Sequence, residues 1–485
     1  MNIFITLVKK KRGIIVTYVL VFGTIFLILL GGLLGFILLQ LKQASQKVAW
    51  NEALNVAEAG INYYRWCINN EVESTCLNTS EHTYDLFGVP IGKFSLQVTS
   101  TVSCGQNIKK EIISTGWTND FPQLKRKISV LYARTSVAKY SYILNSNVWI
   151  GDDHQIRGPY HSNGGVRMDG ANQSTIASSQ TEWACTDSFG CSSCPTSHGC
   201  HVADSTCYCP GVFTTTANSN PGLFSFPVPS FDFNGITIDL ALMKNTAITN
   251  GIYLFPSTTI DPSAKGYHIK FKNDGTFEAW IITGLSKTTY SWCTDNCAYS
   301  LEEDWHNDYF IINSSEYLYN TYTIPSACSA IFIEDNIWPE GVIKGKVSVA
   351  SANLITPGVD TDIVLPGNID YTTTDGSDGL VLIGENRILI GPQSPNDMTL
   401  RGIFIAQKGR FGRNCYPGNS KNSLQIYGSV ISNGRVGTQW SGGSCDGSGY
   451  AHRESYFDSK LIYDPPSFVP YIDPDFKIID WTETK

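Results

Sequence analysis

A run of cysteines and histidines has the residue types that could bind a metal ion. Cys191 and Cys194 are separated by two residues, and His198 and His201 follow closely, which is the ligand chemistry and tight spacing of a zinc site. These cysteines also belong to a dense group, in which six occur within 25 residues: Cys185, Cys191, Cys194, Cys200, Cys207 and Cys209. In an oxidising compartment such a group favours disulfides. We therefore predict disulfides rather than zinc, and no cofactor.

A second cluster, Asp152 and Asp153 followed by His154, could perform acid and base chemistry. Several polysaccharide-cleaving enzymes place paired carboxylates on a β-helix surface for this purpose. The same residues after Gly151 are also typical of a turn, and no second acidic cluster stands at a matching position. The sequence contains no nucleophile elbow, phosphate-binding glycine loop or metalloprotease helix motif. We therefore predict that the chain is not an enzyme.

Tryptophans offer a further kind of surface. Their flat rings could stack on sugars or on a partner protein, although core packing is expected for most of them. The candidates are Trp149, Trp183, Trp280, Trp292, Trp305 and Trp440.

Charge and cysteine content indicate where the protein works. The net charge of the 485 residues is -8, and residues 51–485 contain 29 basic and 43 acidic residues, which argues against a nucleic-acid-binding surface. Fourteen cysteines, mostly in polar, glycine-rich segments, indicate an oxidising compartment. Their pairing cannot be read from the sequence, but proximity along the chain suggests three pairs: Cys67 with Cys76, Cys293 with Cys297, and Cys415 with Cys445.

The N-terminal segment predicts a membrane-spanning helix. Gly13 to Leu39 is an uncharged stretch of 27 residues, about 40 Å long as a helix, which exceeds the ~30 Å hydrocarbon core of a bilayer. A basic cluster precedes it and, by the positive-inside rule, lies in the cytoplasm, so that the rest of the chain lies outside. The cluster is Lys9, Lys10, Lys11 and Arg12. Apolar residues at helical spacing extend the helix to about Arg65. We predict a leader (1–13), a transmembrane half (14–39) and an amphipathic half (40–65).

Two motifs in this region resemble those of type IV filament proteins. The junction of the basic cluster with Gly13 and Ile14 resembles the leader junction of prepilins and pseudopilins. The tetrapeptide Ala57, Glu58, Ala59 and Gly60 resembles the N-terminal signature of PilX-type minor pilins. The resemblance covers about residues 9–65 and continues more weakly to 135. It implies that a membrane-bound prepilin peptidase cuts after Gly13, and that the retained helix packs against other pilin subunits. An uncleaved signal anchor is the alternative.

One residue departs from the family pattern. Most pilins have a glutamate five residues after the cut, whereas this chain has Tyr18. The tip subunit of pseudopilins characteristically lacks that acid. The resemblance therefore implies a tip or initiating position in the filament.

The exported part is predicted to be mainly β. Alternating apolar residues predict strands at 94–98, 112–117 and 127–132, hence a pilin-like sheet over 66–140 packed on the helix. A repeat with a central glycine recurs at 156–164, 400–406 and 426–434, with a weaker copy at 343–349. Such units form the rungs of a parallel β-helix, predicted for 141–180 and 336–450; a β-sandwich or jelly roll is the alternative. Residues 181–335 are expected to form a cysteine-rich insertion with loops, and 451–485 an extended tail.

The sequence thus predicts a structural protein with an adhesive head. We expect a minor pilin or pseudopilin-like subunit, anchored in the membrane by one helix and exposed at the cell surface or filament tip. Its expected partners are membrane lipid, other pilin subunits, the prepilin peptidase, and a glycan or cell-surface ligand. The alternatives are a membrane-tethered enzyme acting on polysaccharide and a plain anchored surface protein. The sequence leaves open whether the filament is a pilus or a secretion pseudopilus.

Overall fold

The computed structural model describes residues 12–291, 305–473 and 475–484, with side chains from Ile14 onwards. The chain is mainly β with one long N-terminal helix, as predicted. The described residues divide into two compact units: unit 1 comprises 12–99, 111–132 and 478–484, and unit 2 comprises 100–110 and the described part of 133–477.

Three α-helices occur among the described residues: α1 (Arg12–Asn69), α2 (Glu73–Cys76) and α3 (Leu240–Asn250). The strands of the N-terminal sheet are β1 (His82–Leu86), β2 (Val89–Ser103), β3 (Gln106–Thr118) and β4 (Arg126–Ala133). They are followed by β5 (Tyr142–Leu144), β6 (Val148–Ile150), β7 (His154–Ile156), β8 (Tyr160–Ser162), β9 (Val166–Met168), β10 (Ala171–Asn172), β11 (Ile176–Ser178), β12 (Glu182–Ala184), β13 (His201–Ala203), β14 (Thr206–Pro210), β15 (Val212–Phe213) and β16 (Phe224–Ser225).

After α3 the strands are β17 (Ile252–Leu254), β18 (Gly266–Phe271), β19 (Thr276–Ile282), β20 (Leu285–Ser291), β21 (Trp305–Ile312), β22 (Glu316–Thr323), β23 (Ala330–Ile333), β24 (Ile337–Ile343), β25 (Lys346–Ser351), β26 (Ile363–Leu365), β27 (Ile369–Tyr371), β28 (Gly379–Gly384), β29 (Ile388–Ile390), β30 (Asp397–Ala406), β31 (Phe411–Arg413), β32 (Ser420–Ser432), β33 (Gly449–Tyr456) and β34 (Lys477–Thr484).

Unit 1 is built on a sheet with the order β1-β2-β3-β4-β34. The three predicted strands form as β2, β3 and β4. Their inward side chains, such as Phe94, Ile112 and Val130, are buried, and so is one face of α1, including Ala53 and Tyr64. Burial of one sheet face and one helix face explains the period-2 and helical patterns in the sequence. The helix continues to Asn69, beyond the predicted end at Arg65.

Unit 2 contains a long ladder of parallel strands in the order β17-β23-β25-β28-β30-β32-β5-β8-β11-β16. A β-sandwich or jelly roll would need antiparallel pairs, whereas the stacked parallel rungs match the predicted β-helix-like head. The ladder is buried on both faces: Leu380 and Leu382 pack in one apolar cluster, and Val381 and Ile383 in another. Burial on both faces explains the near-continuous apolar runs of these strands.

The chain enters this stack in the middle. Strands β5, β8, β11 and β16 run from the middle to one end, after which the chain returns to the opposite end at β17. It then runs back through β23 to β32, which pairs with β5 through Val430 and Tyr142. Segments far apart in the sequence are therefore neighbours in the stack, a connectivity that the repeat pattern did not reveal.

Three of the four predicted repeats stack in the aligned register. Leu400, Gly402 and Phe404 pair with Ile426, Gly428 and Val430. Tyr160 lies at the level of Val430, because Val430 pairs with Tyr142 and Tyr142 pairs with Tyr160. The fourth copy is wrong by two residues, because Val349 rather than Val347 lies at the level of Phe404. Gly345, with φ +79°, lies in the connection between β24 and β25 and not within a strand. The glycine of this copy therefore does not align with Gly402 and Gly428.

Two ranges contain more regular structure than the sequence suggested. Within 181–335, strands β17, β18 and β23 pair into the parallel stack, and α3 covers it through the buried Met243 and Ala247. The tail begins inside β33 and ends in β34. Between them, Phe468 and Val469 are buried against the stack, as expected for an extended strap.

Candidate functional site

The first half of α1 is an uncovered apolar rod. The large apolar side chains from Ile14 to Leu41 are between 40% and 73% exposed. Among the described residues, α1 is the helix long and apolar enough to cross a membrane. Such a surface is unfavourable in water, so it needs lipid or other apolar helices around it. Tyr18 lies in this rod with 60% of its side-chain surface exposed.

The second half of α1 packs closely on the sheet of unit 1. A Cβ atom on Gly116 would lie 2.3 Å from the backbone nitrogen of Ala57 and 2.5 Å from the carbonyl oxygen of Ala53. A Cβ atom on Gly60 would lie 2.3 Å from the Oγ of Ser114. The small residues of the tetrapeptide 57–60 therefore have a packing role: Ala57 and Gly60 are buried at this contact, whereas Glu58 is exposed.

The predicted processing site lies at the edge of the described region. Lys9, Lys10 and Lys11 are outside the residues that the structure describes. Arg12 and Gly13 are described only as the first residues of α1, and Ile14, the residue after the predicted cut, is 55% exposed.

The cysteines of the described residues form six disulfides. Two of them are the pairs that proximity suggested, Cys67–Cys76 and Cys415–Cys445. The dense group forms three more, which are Cys185–Cys191, Cys194–Cys207 and Cys200–Cys209. Cys104–Cys328, within unit 2, joins residues 224 positions apart, and no local sequence signal indicated it. Cys293 and Cys297 lie outside the described residues.

This pairing removes the thiolates from the candidate zinc site. Cys191 and Cys194 each bond to another cysteine, and a disulfide sulfur is not the thiolate that binds zinc. His198 and His201 are exposed, and the Nδ1 of His201 lies 3.9 Å from a carboxylate oxygen of Glu182. The segment instead forms a small antiparallel sheet, β12-β14-β13, over a core of cysteines with Trp183 and Phe189.

The second candidate cluster lines a cavity of about 510 Å³ in unit 2. This volume falls within the about 300–1,000 Å³ that is typical of small-molecule sites. The walls come from separate parts of the chain: β5 to β8 with the turn between β6 and β7, the disulfide-rich segment near Asp187, residue 410 before β31, the loop 435–443, and Arg453 in β33. The disulfide Cys415–Cys445 closes the loop that contains residues 435–443.

The two aspartates of this cluster have different surroundings. Asp152 is exposed at the cavity, whereas Asp153 forms an ion pair with Arg453, whose Nη2 also donates to Gln439 at 2.9 Å. His154 is buried, and its Nε2 lies 2.9 Å from the Oγ of Ser455. Burial holds the pKa of His154 well below its usual range, and the nearby Arg453 charge acts in the same direction. The imidazole is therefore neutral at pH 7.

Two indole rings also line the cavity, and internal hydrogen bonds fix both. The Nε1 of Trp149 donates to Asp169 at 2.9 Å, and the Nε1 of Trp440 donates to the carbonyl oxygen of Arg413 at 2.9 Å. Trp183, by contrast, is buried among the disulfides, and Trp292 lies outside the described residues.

The sequence did not reveal the arginines of the cavity. Arg410 and Arg435 follow the late strands β30 and β32, and Arg453 lies within β33, whereas Trp149 lies in the early strand β6 and Asp152 in the turn after it. They meet because the chain enters the stack in the middle, so that no local spacing could have grouped them.

Comparison with known proteins adds little. No protein-family model and no curated protein matches the chain. Among solved structures, the competence-associated pilin ComZ from Thermus thermophilus matches at 13% sequence identity, over 90% of this chain and 97% of that chain, with a TM-score of 0.33. A superposition with so low a score carries no argument about the fold or the function of this chain.

Proposed function

We propose that this chain is a minor pilin or pseudopilin-like subunit of a type IV filament system, with a recognition head outside the cell. The observation that carries this proposal is the division of α1 into two halves. Ile14 to Leu41 is apolar and uncovered, whereas Ala53, Ala57 and Gly60 pack into the sheet of unit 1. A plain membrane anchor needs about 20 apolar residues and no rigid continuation into a folded domain.

The two halves support an exchange of surroundings. In the bilayer, lipid tails cover the apolar half; in a filament, the corresponding helices of neighbouring subunits would cover it. The apolar surface is buried in both states, so the exchange requires no exposure to water at either end point. The sheet-packed half keeps the folded part attached to the rod throughout.

We further propose that the subunit occupies the filament tip. A glutamate near the start of a pilin helix is expensive in lipid unless a neighbouring amino terminus neutralises its charge. With Tyr18 this chain carries no such charge and has no need for that neighbour. Unit 2, which spans most of residues 133–477, is also large for a domain repeated along a shaft.

For the head we propose binding rather than catalysis. Asp153 is held in an ion pair with Arg453, and Asp152 is exposed at the cavity. Neither arrangement provides a carboxyl group desolvated in the way that a general acid requires. A cavity with fixed indole rings and charged groups fits recognition of a glycan or another cell-surface ligand. The resemblance to PilX-type minor pilins concerns the helix alone and does not identify this ligand.

The test is the mature amino terminus of the native protein, with sheared fibres analysed in parallel. Mass spectrometry should find a peptide that begins at Ile14, and fibres should contain the chain at low stoichiometry. Gly13→Val should leave Met1 in place and remove the chain from fibres. The matched control is Gly23→Ala in the same apolar run, where a Cβ atom meets nothing within 4 Å, and it should be processed normally. An intact Met1 in the native protein, or fibres without the chain, would contradict the proposal.

The tip position has its own test. Antibody labelling of unit 2 on intact fibres should mark fibre ends. Labels spaced along the shaft would contradict the tip while leaving membership of the filament standing.

A further inference from the structure

Among the described residues, Arg410, a charged residue of the cavity, lacks the carboxylate partner that two nearby arginines have. Arg387 forms an ion pair with Asp362, and Arg453 forms one with Asp153. Arg410 is partly buried and lines the cavity, yet it donates a hydrogen bond to the amide oxygen of Asn414, a neutral group. Within the described part of the chain, no carboxylate forms an ion pair with Arg410.

The surroundings of Arg410 add positive charge. Burial lowers the pKa of Arg410 to about 10, and the neighbouring Arg387 and Arg435 act in the same direction. Arg435 also lines the cavity; its Nη2 donates to the carbonyl oxygen of Ser188 at 2.8 Å, and its guanidinium lies 4.2 Å from the centre of the Phe189 ring. A guanidinium deprived of water and without a carboxylate gains most from an anion brought by a ligand.

The acidic groups of the cavity do not cancel this charge. Asp153 is already paired with Arg453, and Asp152 and Asp187 are exposed to solvent, where water screens them. Carboxylates in such positions accept hydrogen bonds from hydroxyl groups. The cavity thus combines a site for one negative charge with acceptors for several hydroxyls.

The aromatic groups supply the apolar part of the recognition. Trp149 and Trp440 line the cavity, and the hydrogen bonds that their ring nitrogens donate to internal acceptors fix the orientation of both rings. The guanidinium of Arg167 lies 4.4 Å from the centre of the Trp149 ring and occupies one face of it. Ring orientation fixed before binding reduces the entropy lost when a ligand is bound. Sugars offer a matching surface, because one side of a pyranose ring consists largely of C–H groups.

We propose that this cavity binds an acidic saccharide, with the carboxylate on the guanidinium of Arg410, the apolar sugar face on an indole of Trp149 or Trp440, and the hydroxyls on the exposed aspartates. This assignment deepens the recognition role proposed above for the head by naming its ligand class. It does not require catalysis, since the ligand is held by ion pairing, stacking and hydrogen bonds alone.

The test compares two sugars that differ at one carbon. Isothermal titration calorimetry of the full chain in detergent micelles should show binding of D-glucuronate, and binding of D-glucose at least about tenfold weaker, since a hydrogen bond to a charged group is worth about that factor or more. Arg410→Gln should remove the preference for glucuronate. Trp440→Leu should weaken the binding of both sugars.

Arg401→Gln is the matched control, because Arg401 lies on the same stack, pairs with Asp370 and does not line the cavity. It should bind both sugars as the native protein does. Circular dichroism must show that each variant is folded; if Arg410→Gln is not, Arg410→Lys replaces it and should reduce glucuronate affinity several-fold, because a lysine cannot form the two-pronged contact.

Three results would overturn the assignment: no glucuronate binding to the native chain, equal affinity for glucose and glucuronate, or an Arg410 variant that binds glucuronate unchanged. These results are independent of fibre incorporation. A native chain that enters fibres without binding glucuronate would refute only the cavity assignment. A chain that binds glucuronate with an intact Met1 would refute only the filament proposal.

Discussion

The two units bury their apolar surface in different ways. Unit 1 has a single contact layer, in which small residues such as Ala53, Ala57 and Gly60 bring a helix close to a sheet. Unit 2 has many layers, because every rung of the parallel stack lies on another rung, and strands such as β28 are buried on both faces. In unit 1 half of the helix remains uncovered, whereas the described strands of the parallel stack leave few apolar side chains exposed.

The difference indicates where each unit can change its surroundings. A unit with one contact layer can present a long apolar surface to lipid and later to other helices. A stack loses contacts on two sides whenever one rung moves, so that its cavity walls are held in place. Glycines test this contrast well, because both units use them for close approach.

The largest effect is expected in the stack. Gly428 has φ +137°, and a Cβ atom there would lie 2.0 Å from the carbonyl oxygen of Gly402 on the adjacent rung. Gly428→Ala should therefore combine backbone strain with a steric clash and destabilise unit 2 by about 4 kcal/mol. Hydrogen exchange followed by mass spectrometry of the full chain should show faster exchange in peptides of β28, β30 and β32. Gly437→Ala, where a Cβ atom meets nothing within 4 Å, should leave exchange unchanged.

A smaller effect is expected at the helix contact of unit 1. Gly116→Ala brings a Cβ atom to 2.3 Å from the backbone of Ala57 without backbone strain, so overpacking should cost about 2 kcal/mol. Exchange should increase in peptides of β3 and of residues 49–64, while unit 2 stays protected. Gly23→Ala, in the uncovered half of α1, should leave unit 1 unchanged. If Gly116→Ala also left unit 1 unchanged, the close helix contact on which the filament proposal depends would be refuted.

The same contrast explains what the sequence could predict. Patterns within one segment were readable: the apolar run 14–39, the strands of unit 1, and the aligned repeats at 400 and 426, whose register the structure repeats residue by residue. Contacts that depend on where the chain enters the stack were not readable, and they include the pairing of β32 with β5 and the bond between Cys104 and Cys328.

The cavity belongs to the second class. Asp152 and Trp149 were candidates on residue type alone. Arg410 was not a candidate, because its place at the cavity depends on early and late strands being neighbours in the stack. Helix α3 was missed for another reason: its sequence begins with a short apolar run, and its N-cap, the side chain of Asp239 accepting from the backbone nitrogen of Leu242, is a common feature of loops as well.

The smallest effect is expected in the pH dependence of stability, which should differ between the two units. Burial lowers the pKa of His154 and of His161, both in unit 2, so the folded chain leaves them unprotonated in a range where the unfolded chain binds protons. Stability is then fully present above about pH 6.5 and falls as the pH decreases, by up to about 1.4 kcal/mol per pH unit for each histidine. Exchange in unit 2 should accelerate between pH 6.5 and 5.5, after correction for intrinsic rates, and exchange in unit 1 should not. His154→Gln should reduce this dependence, and the exposed His198→Gln should leave it unchanged; an equal pH response in both units would show that buried histidines do not set it.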